Sequence, residues 1–304
     1  MLELIPTARG DADGCHGCSE VPMENAVERA VEYLWKHYDR PLSLTEVAES
    51  VRLSRFYFAR LFRDTTGITP GRFLAAIRIH HAKRLLIDTS MRITDVSVSV
   101  GYNSLGSFSN CFTSSVGLSP GRFRRLSQID GIELPGALPA PHGPSGAVAG
   151  TISLPEGHGN ARVYLGAFRT QTVKHPAAAA VIVDVPGGRP ACYRLPHVPE
   201  GTWIVHAVAV ADGAGLDARR PHAPLVGMHP SVTVTAGGVT SAAVRLRRRR
   251  PIDPPVLLAL PDLVPPPAPA PLTGCPAVTA RQAPAAWQED RRGLALAAPR
   301  PGLS

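Results

Sequence analysis

The sequence is poor in cysteine and aromatics and has no long apolar run, and each shortage excludes something. Five cysteines among 304 residues do not make a disulfide framework, and their odd count would strand one thiol. Cys15 and Cys18 sit close, as Cys-His-Gly-Cys. That pair is at most half of a structural zinc site, and no second pair follows at finger-like spacing. Haem attachment would need histidine where Ser19 stands. The pair is read as incidental to a glycine-containing arm, with a metal or redox switch as the weaker alternative. Cys111, Cys192 and Cys275 are isolated and read as packed or tail residues. No metal and no cofactor is expected. No run nears the roughly 18 apolar residues of a membrane helix, and the opening MLELIPTARG lacks a basic start followed by an apolar stretch. A soluble, cytoplasmic protein without a membrane partner is expected.

Basic charge and turn-forming residues are plentiful. Lys and Arg number 32 against 24 Asp and Glu, a net +8, which leans toward a polyanionic partner. Proline at 31 and glycine at 28 demand linkers or disorder somewhere. The length suggests two folded units plus tails. Composition marks out a disordered N-terminal arm over 1–21 and a helix-patterned block over 22–126. A linker over 127–145 follows, carrying Pro135, Pro139, Pro141 and Pro144. Residues 146–248 read as short β-branched runs, and 249–304 as a Pro/Ala-rich tail that cannot bury enough to order itself.

The helical block contains a repeat. GITPGRF at 67–73 returns as GLSPGRF at 117–123, and Leu44-Thr45-Glu46-Val47-Ala48 aligns with Ile93-Thr94-Asp95-Val96-Ser97. One supersecondary unit is used twice, with one residue inserted in the second turn. In the first copy Ser43 and Glu46 form a capping box that opens a helix with Leu44, Val47, Ala48 and Val51 on one stripe. Ser54 caps a second helix that turns Phe58, Leu61 and Phe62 inward and leaves Arg55, Arg60 and Arg63 outside, and Gly67 ends it. Two short helices, a tight turn and a basic outer face describe a helix-turn-helix.

In the second copy Val96, Val98 and Val100 alternate with Ser97 and Ser99, a strand-like period. The repeat context and the helical spacing of Ile93, Val96 and Val100 favour a helix. Ser104 then caps a helix with Phe108 and Phe112 inward and Gly117 at its end. An amphipathic helix over 22–38, opened by Pro22, precedes both units through Val27, Val31, Leu34 and Tyr38. A longer helix, about 70–88, joins them. Its span of roughly 27 Å is comparable to the ~34 Å between successive major-groove faces of B-DNA. Residues 24–126 hold 15 Lys/Arg and 9 Asp/Glu, so +6 of the net +8 resides here.

Three stretches carry a resemblance: HYDRPLSLTEVAES at 37–50, LSRFYFARLFRDTTGITPGRF at 53–73, and the run from Arg78 to Leu126 containing Gly101-Tyr102, Ser107-Phe108-Ser109 and Gly117-Leu118-Ser119-Pro120. Over about Glu24 to Leu126 the chain resembles the AraC/XylS family of transcriptional regulators. The resemblance implies a sequence-specific regulator whose single polypeptide sets one recognition helix of each unit into successive major grooves of double-stranded DNA. It also implies RNA polymerase as a partner. Carried over by position, the DNA-binding residues are Arg55, Phe56, Ala59, Arg60 and Arg63 in the first unit and Leu105, Gly106, Ser109 and Asn110 in the second. Arg60 is the expected base contact, since a guanidinium can bond both guanine acceptors. Arg55 and Arg63 are expected on phosphate. The second unit departs from the family with Asn110, Thr113 and Ser114 where arginine or lysine is common. The first unit is therefore expected to dominate affinity.

Most family members place a ligand-binding barrel before this block, whereas about twenty residues precede it here, so a sensor is expected to follow. Candidate strands lie at 147–153, 161–169, 179–185, 192–195, 202–210, 232–235 and 239–246. Their number and turn signals argue a β-sandwich. The segments GAVAGTISLP and YRLPHVPEGTWIVHAVA also resemble the carboxypeptidase-regulatory, transthyretin-like sandwich. The fold class expected is thus multidomain, an all-α bipartite helix-turn-helix followed by a small β-sandwich and a disordered tail. His158, His175, His197, His206, His222 and His229 lack the i, i+2 or i, i+4 pairing of a metal site, and no enzyme is expected. An alkylation-repair enzyme with this DNA-binding type would need a four-cysteine zinc module and a proline-cysteine-histidine motif, and neither occurs. The run Arg245 to Arg250 admits three readings: a solvated strand edge, a second phosphate grip, or a contact with an acidic partner. The competing class is an interaction protein whose sandwich binds a partner or small ligand while DNA binding is weak or non-specific.

Overall fold

Helical caps and buried phenylalanines organise the first half of the chain, in a computed structural model that describes residues 23–127, 143–211, 224–260 and 263. The arm with Cys15 and Cys18, most of the linker, His222, and the chain from 264 with Cys275 lie outside the described residues. The helices are α1 (Met23–Lys36), α2 (Leu44–Ser50), α3 (Arg55–Thr66), α4 (Pro70–Asp88), α5 (Ile93–Ser99), α6 (Leu105–Val116) and α7 (Pro120–Leu126). Ser43 Oγ accepts from the Glu46 N–H at 3.1 Å and Ser104 Oγ from the Ser107 N–H at 3.2 Å, which fixes the starts of α2 and α6. Ser54 occupies the expected cap position of α3 without a side-chain cap bond. Gly67 and Gly117 end α3 and α6 with φ of 78° and 89°, the left-handed backbone a residue without Cβ adopts at least cost.

The repeat is visible in packing. Phe58, Phe62 and Phe73 are fully buried in the first unit and stack edge-on in sequence, with centroids 5.5 and 5.4 Å apart. Phe108, Phe112 and Phe123 repeat the chain at 5.6 and 5.6 Å. Val96 of α5 and Val100 at its C-cap are buried while Val98 is 69% exposed, so helical periodicity wins over the alternating pattern. Helix α4 serves both cores, with Phe73 and Ile77 in the first and Ala76, Ile79, Ala82 and Leu86 in the second. It therefore lacks a single apolar stripe. At about 1.5 Å per residue its 19 residues span about 28 Å.

The second half is two sheets. The strands are β1 (Ser145–Ser153), β2 (Ala161–Phe168), β3 (Ala179–Val185), β4 (Ala191–Pro199), β5 (Gly201–Ala211), β6 (Leu225–Val234), β7 (Val239–Ser241), β8 (Val244–Arg245) and β9 (Arg247–Arg248). One sheet has the order β4-β1-β7, with β8 also on β1, and the other β3-β2-β5-β6-β9. Val148, Ile152, Tyr193 and Leu195 of the first share one core with Val163, Leu165, Trp203 and Val205 of the second. Strand β6 begins at Leu225 rather than 232. The run expected as one strand over 239–246 is broken at Ala242, whose N–H bonds Ala149 while its carbonyl accepts from the Tyr193 hydroxyl at 2.7 Å.

The expected disordered tail needs a correction. Residues 249–260 and 263 are ordered, and Leu257, Leu258, Ala259 and Leu263 are buried. Leu257 and Ala259 join the core of the second helical unit, whereas Leu258 and Leu263 pack on Tyr164, Phe168 and Val208 of the sheet. Composition missed this because the segment buries its apolar side chains on surfaces that only tertiary structure supplies.

Candidate nucleic-acid interface

Capping and burial decide which sides of α3 and α6 remain open. Phe58 and Phe62 fix the inward face of α3, and Phe108 and Phe112 that of α6. Of the residues expected to meet DNA, Arg55, Phe56, Arg60, Arg63, Leu105, Gly106 and Asn110 are exposed, and Ala59 and Ser109 are half-buried. The Phe56 ring is 75% exposed and lies under the Arg55 guanidinium at 4.5 Å. Nothing in the described fold gives that ring a core to join. Among the described residues Arg60 is held only by an exposed contact with Asp64, Nε to Oδ2 at 3.8 Å, an i, i+4 pair worth a few tenths of a kcal/mol at most. It is free to be redirected.

The two helices differ in charge. Helix α3 carries Arg55, Arg60 and Arg63, while α6 has no cation and presents Asn110, Thr113 and Ser114. Open space surrounds Gly106, where an added Cβ would meet nothing within 4 Å. Outside the expected set, Tyr57 is 48% exposed beside Phe56, and Arg72 and Arg122 are an exposed pair. Their signal was the PGRF repeat itself, which places both in the first turn of α4 and α7.

Polar contacts fasten α4 to the α1–α2 connection and α1 to α2. Arg78 of α4 donates Nε to the Tyr38 carbonyl at 2.8 Å and Nη2 to the Arg40 carbonyl at 2.9 Å, and burial lowers its pKa. The Tyr33 hydroxyl donates to Glu46 at 2.9 Å, and Arg40 pairs with the same carboxylate at 2.8 Å. The Tyr33 bond first, then Arg40 and the Ser43 N–H, hold Glu46 below the ordinary carboxylate range. A cleft of about 400 Å³ lies between the units, lined by Ser43, Glu46, Arg78 and Asn103 among others.

A helix-turn-helix family profile matches residues 47–126, from within α2 to the end of α7. Residues 47–126 are an AraC-type helix-turn-helix domain. The chain is 33% identical over 102 residues to the melibiose operon regulatory protein of Escherichia coli K12, covering 34% of each. The chain is 35% identical over 104 residues to the lactose operon transcription activator of Staphylococcus xylosus, covering 34% of this chain and 37% of that one. It is also 30% identical over 111 residues to the bifunctional transcriptional activator and DNA repair enzyme AdaA of Bacillus subtilis, covering 36% and 53%. Among solved structures, the C-terminal domain of the response regulator AraT from Geobacillus stearothermophilus shares 33% identity with a TM-score of 0.33, covering 34% of this chain and 87% of that one. The chain thus spans about a third of the length of the first two relatives.

The arginine run outside the AraC-type domain is largely spoken for. Arg247 clamps Asp253 through Nη1 at 2.5 Å and Nη2 at 2.7 Å, and the Arg250 N–H adds 2.6 Å. Burial raises the Asp253 pKa, but the Arg247 and Arg250 contacts outweigh it and leave the carboxyl below its ordinary value. Arg249 lies over Trp35 of α1 at 5.7 Å. Arg245 and Arg248 remain exposed. Among the histidines, His206 donates its Nε2–H to the Thr170 carbonyl at 3.1 Å, and burial lowers its pKa. Among the described residues no three His, Cys, Asp or Glu side chains converge to hold a metal ion. Among them, too, no helix is long and apolar enough to cross a membrane.

Proposed function

We propose that this protein is a sequence-specific transcriptional regulator that sets α3 and α6 into successive major grooves of double-stranded DNA. The observation that carries the reading is the pair of repeat-equivalent helices whose Arg55, Phe56, Arg60, Arg63, Leu105 and Asn110 stay exposed while the excess of +6 charge sits in the same block. In this reading Arg60 reads a base edge, Arg55 and Arg63 grip phosphate, and Ala59 allows close approach. Ser109, Asn110, Leu105 and Gly106 contribute weaker readout, so the first unit dominates affinity. RNA polymerase is the partner that regulation implies. A regulator of this kind resides with the cytoplasmic nucleoid.

The two sheets are read as a β-sandwich of carboxypeptidase-regulatory, transthyretin-like type that receives an effector or a protein partner, with no catalytic role. Selection of binding sites from random duplex, followed by footprinting of the full chain, tests the function. The expected result is protection over two consecutive turns and a preference of about 10³ or more over random duplex at physiological salt. Equal affinity for all duplexes would leave the interaction-protein reading instead.

A further inference from the structure

We infer that the β region is a brace that fixes the mutual setting of the two helix-turn-helix units, acting through the loop at 169–178 and the strap at 249–260. The inference concerns packing and stands whether or not the DNA reading above holds.

The loop joins β2 to β3 and meets each unit at the same repeat position. A Cβ on Gly67 would lie 2.8 Å from Gln171 Cγ, and one on Gly117 would lie 2.8 Å from His175 Nδ1. The His175 N–H also donates to the Ser115 carbonyl at 2.8 Å. The ends of α3 and α6 are therefore both pinned by residues four apart in one loop. Because the loop anchors through Val173 and Ala177 on Tyr164, Phe168 and Val208 of the sheet, neither end moves without shifting the other.

The strap bonds to the middle of the same loop. The Leu257 and Leu258 N–H groups donate to the Val173 carbonyl at 2.9 and 3.2 Å, and the Ala259 N–H donates to the Val116 carbonyl at 3.1 Å. Its side chains alternate as on an extended strand, Leu257 and Ala259 into the second unit and Leu258 onto the sheet. Farther upstream Ile252 packs on the core of the first unit. Lys83 of α4 donates to the Leu257 and Leu258 carbonyls at 3.1 and 2.9 Å. One short segment thus contacts the first unit, the second unit, the connecting helix and the sheet. The exposed residues of α3 and α6 are left uncovered, so the brace holds without blocking.

Leu258→Asp separates the parts, because that side chain packs on the sheet and not in either helical core. In a full-length background with its cysteines replaced by serine, spin labels at Asp64→Cys and Ser114→Cys report the distance between repeat-equivalent, exposed points on α3 and α6. A single narrow distance is expected without the strap substitution and a broadened distribution with it, while circular dichroism keeps the helical signal. Hydrogen exchange at the His175, Leu257 and Ala259 amides should rise together. If Leu258→Asp fails to fold, Leu258→Ala with Val173→Ala gives the same readout in graded form. An unchanged distance distribution in a folded variant would overturn the brace and leave α4 and Arg78 as sufficient.

Discussion

Gly117 lies beneath His175 as Gly67 lies beneath Gln171, so one loop bears on both helix ends of an internal repeat. Alanine at Gly117 meets two costs, a left-handed backbone for a residue with Cβ and a contact with the imidazole. We expect a loss of about 1–3 kcal/mol in denaturant unfolding. Part of the loss should return when His175→Ala is combined with it, and the backbone cost of about 1 kcal/mol should stay. Gly106→Ala, in open space inside α6, should stabilise by about 0.5–1 kcal/mol.

Base reading should be concentrated in α3. Arg60→Ala should weaken specific binding by about 1–3 kcal/mol and relax the preference at one base pair. Asn110→Ala should cost less. Titrations of the full chain against the selected site and a random duplex decide the order, and a larger loss at Asn110 would reverse the assignment.

Salt dependence separates phosphate grips from internal pairs. Arg63→Ala should lower the salt slope by about 1. Alanine at Arg247, which is committed to Asp253, should leave the slope unchanged and instead lower the melting temperature. The test is binding measured at several salt concentrations alongside thermal melts.

Lys83 is buried and its pKa is pushed down to about 8, while an unfolded lysine titrates near 10.4. Between those values the unfolded chain holds a proton that the folded chain has released. Stability contributed here therefore rises as pH climbs from about 8 to about 10. Melts of the native chain should show that rise relative to Lys83→Met, whose baseline is lowered by the donors lost to the Leu257 and Leu258 carbonyls.

His80 works at the acid end. Burial first, then the charges of Arg249, His81, Lys83 and Arg84, lower its pKa to about 4, against an ordinary 6.5. The folded chain resists a proton that the unfolded chain accepts, so stability is full above pH 6.5 and falls as pH drops toward 4. Between pH 7 and 5 we expect the native chain to lose on the order of 1–2 kcal/mol more than His80→Gln. Chemical denaturation at both pH values provides the comparison, with His206, also lowered by burial, contributing to both proteins.

The helical half was legible residue by residue because its determinants are local. Ser43, Ser104, Gly67 and Gly117 act within one turn of where they stand, and a repeated PGRF with phenylalanines at fixed spacing predicts the same packing twice. The site residues followed from the same periodicity, since burying Phe58, Phe62, Phe108 and Phe112 leaves the opposite faces out. The β half was read less well where partners are distant. Leu225 to Ser231 of β6 contains Gly227 and Pro230, which argue against a strand until β5 provides the ladder.

One signal for the brace stood in the sequence unread. Strand β2, ARVYLGAF, is buried at nearly every position and lacks the alternation of a strand with one wet face, which marks a cover on both sides. Nothing in the sequence named the cover. What the residues alone determined is a duplicated helical unit, two open basic-to-polar helix faces and a set of short strands, because each rests on contacts within a few residues. Only the tertiary structure decided that a Pro-rich segment near the end crosses back to fill the second helical core and the outer face of β2. The partners of Leu257, Leu258 and Ala259 lie tens to well over a hundred residues away, and no local pattern encodes a surface that exists only after both halves have folded.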